Sequence, residues 1–134
     1  MPVSPKLTRE RTSMLGRRIL VVEDEYFLAD DISRALQSLG ADIAGPVGDL
    51  EDAIRILEDG GVLDGAVLDV NIRSDMIYPI ARALRERQVP FVFTTGYDKA
   101  TVGPEFQDVA LWEKPIDVAA MARGLARLIG DQQT

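Results

Sequence analysis

The stretch Gly65-Ala-Val-Leu-Asp69-Val-Asn71 decides how the rest of the chain is interpreted. It is a short apolar run that ends in a carboxylate, with an amide side chain two residues later. A run of this kind is typical of a strand that is buried on both faces of a parallel sheet. Asp69 would then lie at the carboxyl end of the strand, where open parallel sheets bind their ligands. Taken alone, Asp69 is better explained as a carboxylate that caps a turn, so its meaning depends on the other strand ends.

Four further apolar runs predict strands at residues 18–22, 42–47, 90–95 and 109–112. Helical spacing of apolar residues separates them, with Asp49 and Asp117 as helix caps and Pro79 in the first turn of the third helix. The fourth helix, around residues 100–107, is the least regular because Gly103 and Pro104 interrupt it. Connections too long for hairpins predict an α/β fold: a doubly wound, five-stranded parallel sheet with five helices on its two faces.

The composition excludes several classes of function. The 134 residues suit one domain and include neither cysteine nor histidine, which excludes disulfides, thiolate catalysis and a histidine phosphodonor within this chain. The net charge of −7 argues against a nucleic-acid-binding face. We find neither a membrane-spanning run nor a signal peptide, which predicts a cytoplasmic protein without a membrane partner. Residues 1–16 are expected to form a mobile extension and residues 17–130 the domain, with no output domain after it.

Functional side chains follow four of the predicted strands. Glu23 and Asp24 come after the first strand, Asp69 ends the third, Thr95 the fourth and Lys114 the fifth. Because parallel strands bring their carboxyl ends to one edge, these groups are expected to converge. Clustered carboxylates suit Mg²⁺, and a carboxylate can attack a phosphoryl group and hold it as an acyl phosphate. A lysine and Mg²⁺ would offset the incoming negative charge.

This ordered set resembles the receiver domain of two-component response regulators, over about residues 18–129. The resemblance implies a flavodoxin-like strand order, 2-1-3-4-5, and a cis Lys114-Pro115 peptide bond. It also implies a role for each matched residue: Glu23 and Asp24 as the acidic pair with Asp24 a direct Mg²⁺ ligand, Asp69 as phospho-acceptor and ligand, the Asn71 backbone carbonyl as third ligand, Thr95 as switch hydroxyl, and Lys114 as phosphate partner.

The resemblance further implies a function. Such a domain receives a phosphoryl group from a phosphohistidine on a sensor histidine kinase or a histidine phosphotransfer protein, and small acyl phosphates often substitute. Phosphorylation would reshape the surface of the fourth helix, fifth strand and fifth helix, through which receivers often form homodimers. A single-domain regulator would act by binding another protein or as a phosphate sink. It turns over no metabolite, so we do not expect an enzyme.

Three departures from the usual receiver pattern are visible. Leu111 stands where a switch aromatic is usual in the fifth strand. Phe91-Val-Phe-Thr-Thr-Gly-Tyr97 resembles the signature of the alphaproteobacterial "FAT GUY" receivers, with Thr94 in place of alanine. Tyr97 as a substitute switch aromatic and Tyr97 as an ordinary loop residue are equally supported. The segment after Asn71 lacks the usual Pro-x-x-x-Gly pattern, which is expected to change the loop over Asp69.

Two other functions remain open at this point. A Mg²⁺-dependent aspartyl-phosphate phosphatase would also use an aspartate nucleophile at a strand end. The haloacid-dehalogenase-like enzymes carry it on their first strand, however, whereas Asp69 is on the third. A receiver-like adaptor that binds partners without phosphorylation is supported by the unusual segments after Asn71 and Gly96. The complete set of Asp24, Asp69, Thr95 and Lys114 argues against it.

Overall fold

Five parallel strands carry the fold in a computed structural model that describes residues 13–96 and 102–132. Two further short strands, between the third and fourth of these, pair as an antiparallel hairpin. The strands are β1 (Arg18–Val22), β2 (Asp42–Val47), β3 (Gly65–Asp69), β4 (Asn71–Ile72), β5 (Asp75–Met76), β6 (Phe91–Thr95) and β7 (Leu111–Glu113). The main sheet has the order β2-β1-β3-β6-β7, which confirms the predicted 2-1-3-4-5 order of the flavodoxin-like fold.

Four α-helices lie in the described part of the chain, so the predicted count of five is wrong there. They are α1 (Tyr26–Ser38), α2 (Leu50–Glu58), α3 (Tyr78–Glu86) and α4 (Val118–Gln132). Within the stretch predicted as the fourth helix, the described residues form only a 3₁₀ turn, Pro104–Phe106. Gly103 is extended, with φ −57° and ψ 151°, as the residue before a proline usually is. Residues 97–101 lie outside the described residues.

The predicted helix caps are present. The Asp52 backbone N–H donates to Asp49 Oδ1 at 2.8 Å at the start of α2, and the Ala120 N–H donates to Asp117 Oδ1 at 3.0 Å at the start of α4. Pro79 occupies the first turn of α3, where its missing N–H costs no hydrogen bond. These contacts fix where the helices begin relative to the strand ends.

Apolar side chains from the sheet form two cores, one on each face. Ile19, Val21 and Val67 pack against α1 and α4 on one face, and Leu20 and Leu68 pack with α2 and α3 on the other. Since successive side chains of a strand alternate between faces, β1 and β3 contribute to both cores. All five residues of β3 are buried, as predicted, and this fully packed strand positions Asp69 firmly.

Met14, which lies in the stretch that the sequence assigned to a mobile extension, packs onto the domain. Met14 is completely buried among the residues of the α1–α4 core, and its N–H donates to the Leu39 carbonyl at 2.7 Å. Residues 1–12 lie outside the described residues. No helix in the described part of the chain is both long and apolar enough to cross a membrane.

The last strand of the sheet lies later in the chain than predicted. It runs from Leu111 to Glu113 rather than over residues 109–112, and Thr95 of β6 pairs with Glu113. The Lys114-Pro115 peptide bond that follows is cis, as predicted, and Gly45-Pro46 is a second cis bond that the sequence did not suggest.

Candidate functional site

The strand ends converge as the topology predicts. An open pocket of about 500 Å³ lies at the carboxyl edge of the sheet, above the ends of β3, β6 and β7. It is lined by Asp24, Glu25, Asp69, Asn71, Arg73, Ser74, Thr95, Gly96 and Lys114. Every predicted site residue in the described part of the chain, apart from Glu23 and Leu111, therefore faces one space.

Three carboxylates form an acidic cluster, in which Asp24 and Asp69 line the pocket and Glu23 lies beside them. Glu23, Asp24 and Asp69 each place a carboxylate oxygen within 4.8 Å of the others. Glu23 is 2% exposed and Asp69 4% exposed, whereas Asp24 is more accessible. Ligands of an octahedral Mg²⁺ lie about 3 Å apart when adjacent and about 4.2 Å apart when opposite, which is the range of spacing that the three carboxylates can reach. The donor set consists of hard oxygen atoms, which matches Mg²⁺ chemistry.

Lys114 is the cation of the cluster. Its Nζ lies 3.1 Å from Asp69 Oδ2, 3.2 Å from Glu23 Oε2 and 3.4 Å from Glu25 Oε1. The position follows from the backbone, because the Lys114 N–H donates to the Thr95 carbonyl at 2.8 Å and so extends the β6–β7 pairing. The lysine thus joins the ends of β1, β3 and β7 through charge-assisted hydrogen bonds.

Burial and crowding shift the proton affinities of these groups. The pKa of Glu23 is raised to about 7, chiefly by burial and also by the nearby Asp69 charge, and these effects outweigh the lowering effects of the Glu25 N–H and Lys114. Burial also raises the pKa of Asp69, and Lys114 only partly offsets that effect. Burial lowers the pKa of Lys114, but the charges of Asp69 and Glu23 outweigh it, so the pKa is raised overall. The lysine therefore stays a cation, whereas burial makes ionisation of Glu23 and Asp69 less favourable.

The two threonines that end β6 are both buried but lie on different sides. Thr95 lines the pocket, and Thr94 directs its Oγ1 toward Glu23 Oε1 at 3.5 Å. The sequence drew attention to Thr94 only as a departure from the FAT GUY pattern. Its contact with the acidic pair follows from the alternation of a buried strand, which could have placed it there beforehand.

The hairpin of β4 and β5 covers one side of the pocket, and the sequence did not predict it. The Asn71 N–H donates to Asp69 Oδ1 at 3.3 Å. At the hairpin turn, the Arg73 N–H donates to Asp24 Oδ2 at 3.1 Å, and Arg73 Nε donates to the Gly48 carbonyl at 3.1 Å. The turn residues are Arg73 and Ser74 rather than the Asn-Gly or Asp-Gly that signals such a turn, so the sequence held no local signal for it.

The switch position predicted on β7 is occupied by Leu111 and not by an aromatic residue. Leu111 is half-buried, pairs with Phe93 and packs against the α2–α3 core, and it does not line the pocket. Tyr97 lies outside the described residues. Tyr78, at the start of α3, stacks on Phe106 with centroids 5.1 Å apart and accepts a hydrogen bond from the Gly103 N–H at 3.0 Å. Tyr78 is not among the site residues predicted from the sequence.

Comparison with known proteins yields several relatives, although no family model matches the chain. The solution structure of SdrG from Sphingomonas melonis Fr1 is 36% identical with a TM-score of 0.72, covering 87% of this chain and 98% of SdrG. SdrG in its BeF₃-activated conformation, from Pseudomonas melonis Fr1, is 37% identical with a TM-score of 0.67, covering 84% and 95% of the two chains. A response regulator receiver protein from Sinorhizobium medicae WSM419 is 26% identical with a TM-score of 0.74, covering 88% and 98%.

A curated relative is the transcriptional regulatory protein PdtaR of Mycobacterium tuberculosis, which is 26% identical over 116 residues. The match covers 84% of this chain and 56% of PdtaR, so the chain spans about half the length of the curated relatives it matches. The likeness to SdrG covers 87% of this chain and 98% of SdrG, and the strand order of the sheet is that of the receiver fold. The chain therefore belongs to the response regulator receiver family and resembles the single-domain receivers of alphaproteobacteria.

Proposed function

We propose that this receiver is switched by phosphorylation of Asp69. The observation that carries the proposal is the placement of Asp69 in an open pocket with Lys114 Nζ 3.1 Å from its Oδ2. Asp69 Oδ1 accepts the Asn71 N–H on the other side. The carboxylate is therefore fixed in one orientation, which favours attack on a phosphoryl group presented from the pocket.

The reaction would transfer a phosphoryl group from a phosphohistidine of a sensor histidine kinase or a histidine phosphotransfer protein. An Asp69 carboxylate oxygen attacks phosphorus and forms the O–P bond of an acyl phosphate. The N–P bond breaks, and the imidazole nitrogen keeps the electron pair and takes a proton from solvent. Lys114 offsets the charge that accumulates on the phosphoryl oxygens, and the Thr95 hydroxyl donates a hydrogen bond to one of them.

The acidic cluster would hold the Mg²⁺ that this transfer requires. Asp24, Asp69 and the backbone carbonyl of Asn71 are its proposed protein ligands, with Glu23 as the buried partner of the acidic pair. When bound, Mg²⁺ neutralises charge on the transferring phosphoryl group. The cation would also offset the repulsion among the three carboxylates.

The output would be altered binding to a protein partner, or buffering of phosphoryl groups between kinases. The BeF₃-activated conformation of SdrG supports a phosphoryl-responsive surface here, because BeF₃⁻ has the shape and charge of a phosphoryl group on a carboxylate. The surface formed by β7 and α4 is the proposed dimerisation or partner face, since Lys114 at the end of β7 couples it to the pocket.

A phosphorylation-independent adaptor is the second candidate. It is favoured by the Arg73 N–H, which engages an oxygen of the proposed metal ligand Asp24, and by a hairpin that narrows access to Asp69. The two functions differ in whether the protein takes up a phosphoryl group.

The test is intact-protein mass after exposure to Mg²⁺ and acetyl phosphate, for wild type, Asp69→Asn and Asp75→Asn. Asp75 is an exposed carboxylate on the hairpin of β4 and β5, close in sequence to Asp69, and serves as the matched control. One phosphoryl group on wild type and Asp75→Asn, and none on Asp69→Asn, is the expected result. Uptake by Asp69→Asn would place the acceptor elsewhere. No uptake from acetyl phosphate or from a panel of phosphohistidine donors would select the adaptor.

A further inference from the structure

The hairpin turn beside Asp69 has an unusual backbone. Arg73 has φ 48° and Ser74 has φ 70°, so two successive residues with side chains occupy the left-handed region. Each such residue costs about 1 kcal/mol or more, and positions of this kind cluster at functional sites. A strained turn persists only where surrounding contacts hold it. Both hydrogen bonds described for Arg73 are made to residues on the acidic side of the pocket.

Arg73 lies between two spaces. It lines the pocket above Asp69 and also an adjoining cleft of about 620 Å³ beside α1 and β2. Its backbone N–H is bonded to Asp24, and its side chain is tethered through Nε to the Gly48 carbonyl. A single neutral acceptor thus holds the guanidinium at the border of the phosphoryl pocket.

The two cations of the pocket are engaged very differently. Lys114 already contacts Asp69, Glu23 and Glu25. Arg73 forms no ion pair with any residue in ranges 13–96 and 102–132. A phosphoryl group adds about two negative charges at neutral pH, and Lys114, beside Mg²⁺, would face it while still paired to Glu23 and Glu25. A guanidinium can bind two phosphoryl oxygens at once.

We propose that Arg73 is a second phosphoryl-binding cation, which leaves the Gly48 carbonyl and turns onto the phosphoryl oxygens when Asp69 carries the group. This inference rests on the proposed function, because it needs a phosphoryl group on Asp69. Arg73 would act with Lys114 from the opposite side of the pocket. The hairpin of β4 and β5 brings this side chain to the site.

The test is calorimetric titration with BeF₃⁻ at saturating Mg²⁺, and separately with Mg²⁺ alone. The variants are Arg73→Gln, which keeps a donor for Gly48 but loses the charge, Arg73→Lys, which keeps the charge, and Arg82→Gln as the control. Arg82 is exposed, pairs with Glu105 outside the pocket, and loses the same charge. We expect Arg73→Gln to bind BeF₃⁻ about tenfold more weakly, with Arg73→Lys between it and wild type.

The titration with Mg²⁺ alone distinguishes loss of the Arg73 charge from loss of the hairpin structure. Removing a cation near the acidic cluster should leave Mg²⁺ affinity unchanged or tighter in Arg73→Gln, whereas a collapsed hairpin would weaken it. Equal BeF₃⁻ affinity in wild type and Arg73→Gln, or equal losses in Arg73→Gln and Arg73→Lys, would overturn the inference and leave the proposed function intact. A wild type that binds no BeF₃⁻ in the presence of Mg²⁺ would overturn both.

Discussion

A cation pairs with a carboxylate at nearly the same distance at two places: the carboxyl edge of the sheet, where its parallel strands end, and the amino edge, where they begin. At the carboxyl edge, Lys114 Nζ lies 3.1 Å from Asp69 and the side chains are 17% and 5% exposed. At the amino edge, Arg85 Nη2 lies 3.0 Å from Asp108 and the side chains are 41% and 72% exposed. Geometry alone does not distinguish them. Burial does, because the attraction between two charges and the cost of stripping their water both grow as solvent is excluded.

The comparison shows why only one edge is suited to chemistry. An exposed pair contributes about 1 kcal/mol or less, since water solvates each partner whether or not the other is present. At the carboxyl edge, each buried charge depends on the others, and a ligand that changes the local charge redistributes all the contacts. We therefore expect the carboxyl edge to respond more strongly than the amino edge to any added charge.

The largest expected effect comes from removing the cation of the buried cluster. Lys114→Met should lower the free energy of unfolding of the metal-free protein by about 3 kcal/mol at alkaline pH, because Glu23 and Asp69 lose their counter-ion while remaining buried. Denaturant titration measures this loss. Lys114→Arg keeps the charge and should lose less. A loss below about 1 kcal/mol for Lys114→Met would mean that solvent screens the cluster as it does an exposed pair.

The same contrast explains which parts of the fold the sequence could predict. β3 was predicted from a continuous apolar run, and burial on both faces leaves little freedom in its position. β7 pairs only with β6 and is partly exposed, so fewer apolar positions constrain it, and its predicted bounds were two residues early at the start. The prediction of a fourth helix was wrong for the described residues of that stretch, where Gly103 and Pro104 already interrupt the helical pattern.

The site was predictable wherever topology determined it. Asp69 and Lys114 come together because a parallel sheet aligns its carboxyl ends, which requires no knowledge of loop structure. Arg73 was not predictable, because it reaches the pocket through a two-residue turn formed without the residues that usually specify it. Local turn chemistry and long-range contacts with Asp24 and Gly48 decide that turn together, and only the first is visible in the sequence.

A smaller effect is expected from the pH dependence of the acidic edge. The raised pKa of Glu23, about 7 against 4.5, means that the folded state binds a proton more tightly than the unfolded state. The stability of the metal-free protein should therefore be greatest below about pH 4.5 as far as this group is concerned, and should fall as the pH rises through about 7. Glu23→Gln cannot lose a proton, so it should lack this part of the decline.

Denaturant titration of both proteins in the presence of a metal chelator, across that pH range, measures the difference between their free energies of unfolding. Asp69 also has a raised pKa and contributes a decline of the same sign. Because Glu23 and Asp69 interact, the difference between the two proteins measures Glu23 together with its effect on Asp69. Curves that stay parallel would show that Glu23 titrates alike in the folded and unfolded chains.

The smallest effect is expected at the amino edge. Asp108→Asn should change the free energy of unfolding by less than about 1 kcal/mol, and about 1 M salt should remove most of that difference because it screens exposed charges. Arg85 keeps its Nη1 hydrogen bond to the Glu105 carbonyl at 3.1 Å and its position 5.0 Å from the Phe106 ring centre, so the loss is confined to the Coulomb attraction and one of its two contacts with Asp108. The same denaturant titration applies. A salt-resistant loss as large as that of Lys114→Met would mean that hydrogen-bond geometry, which the two edges share, outweighs burial in setting the strength of both pairs.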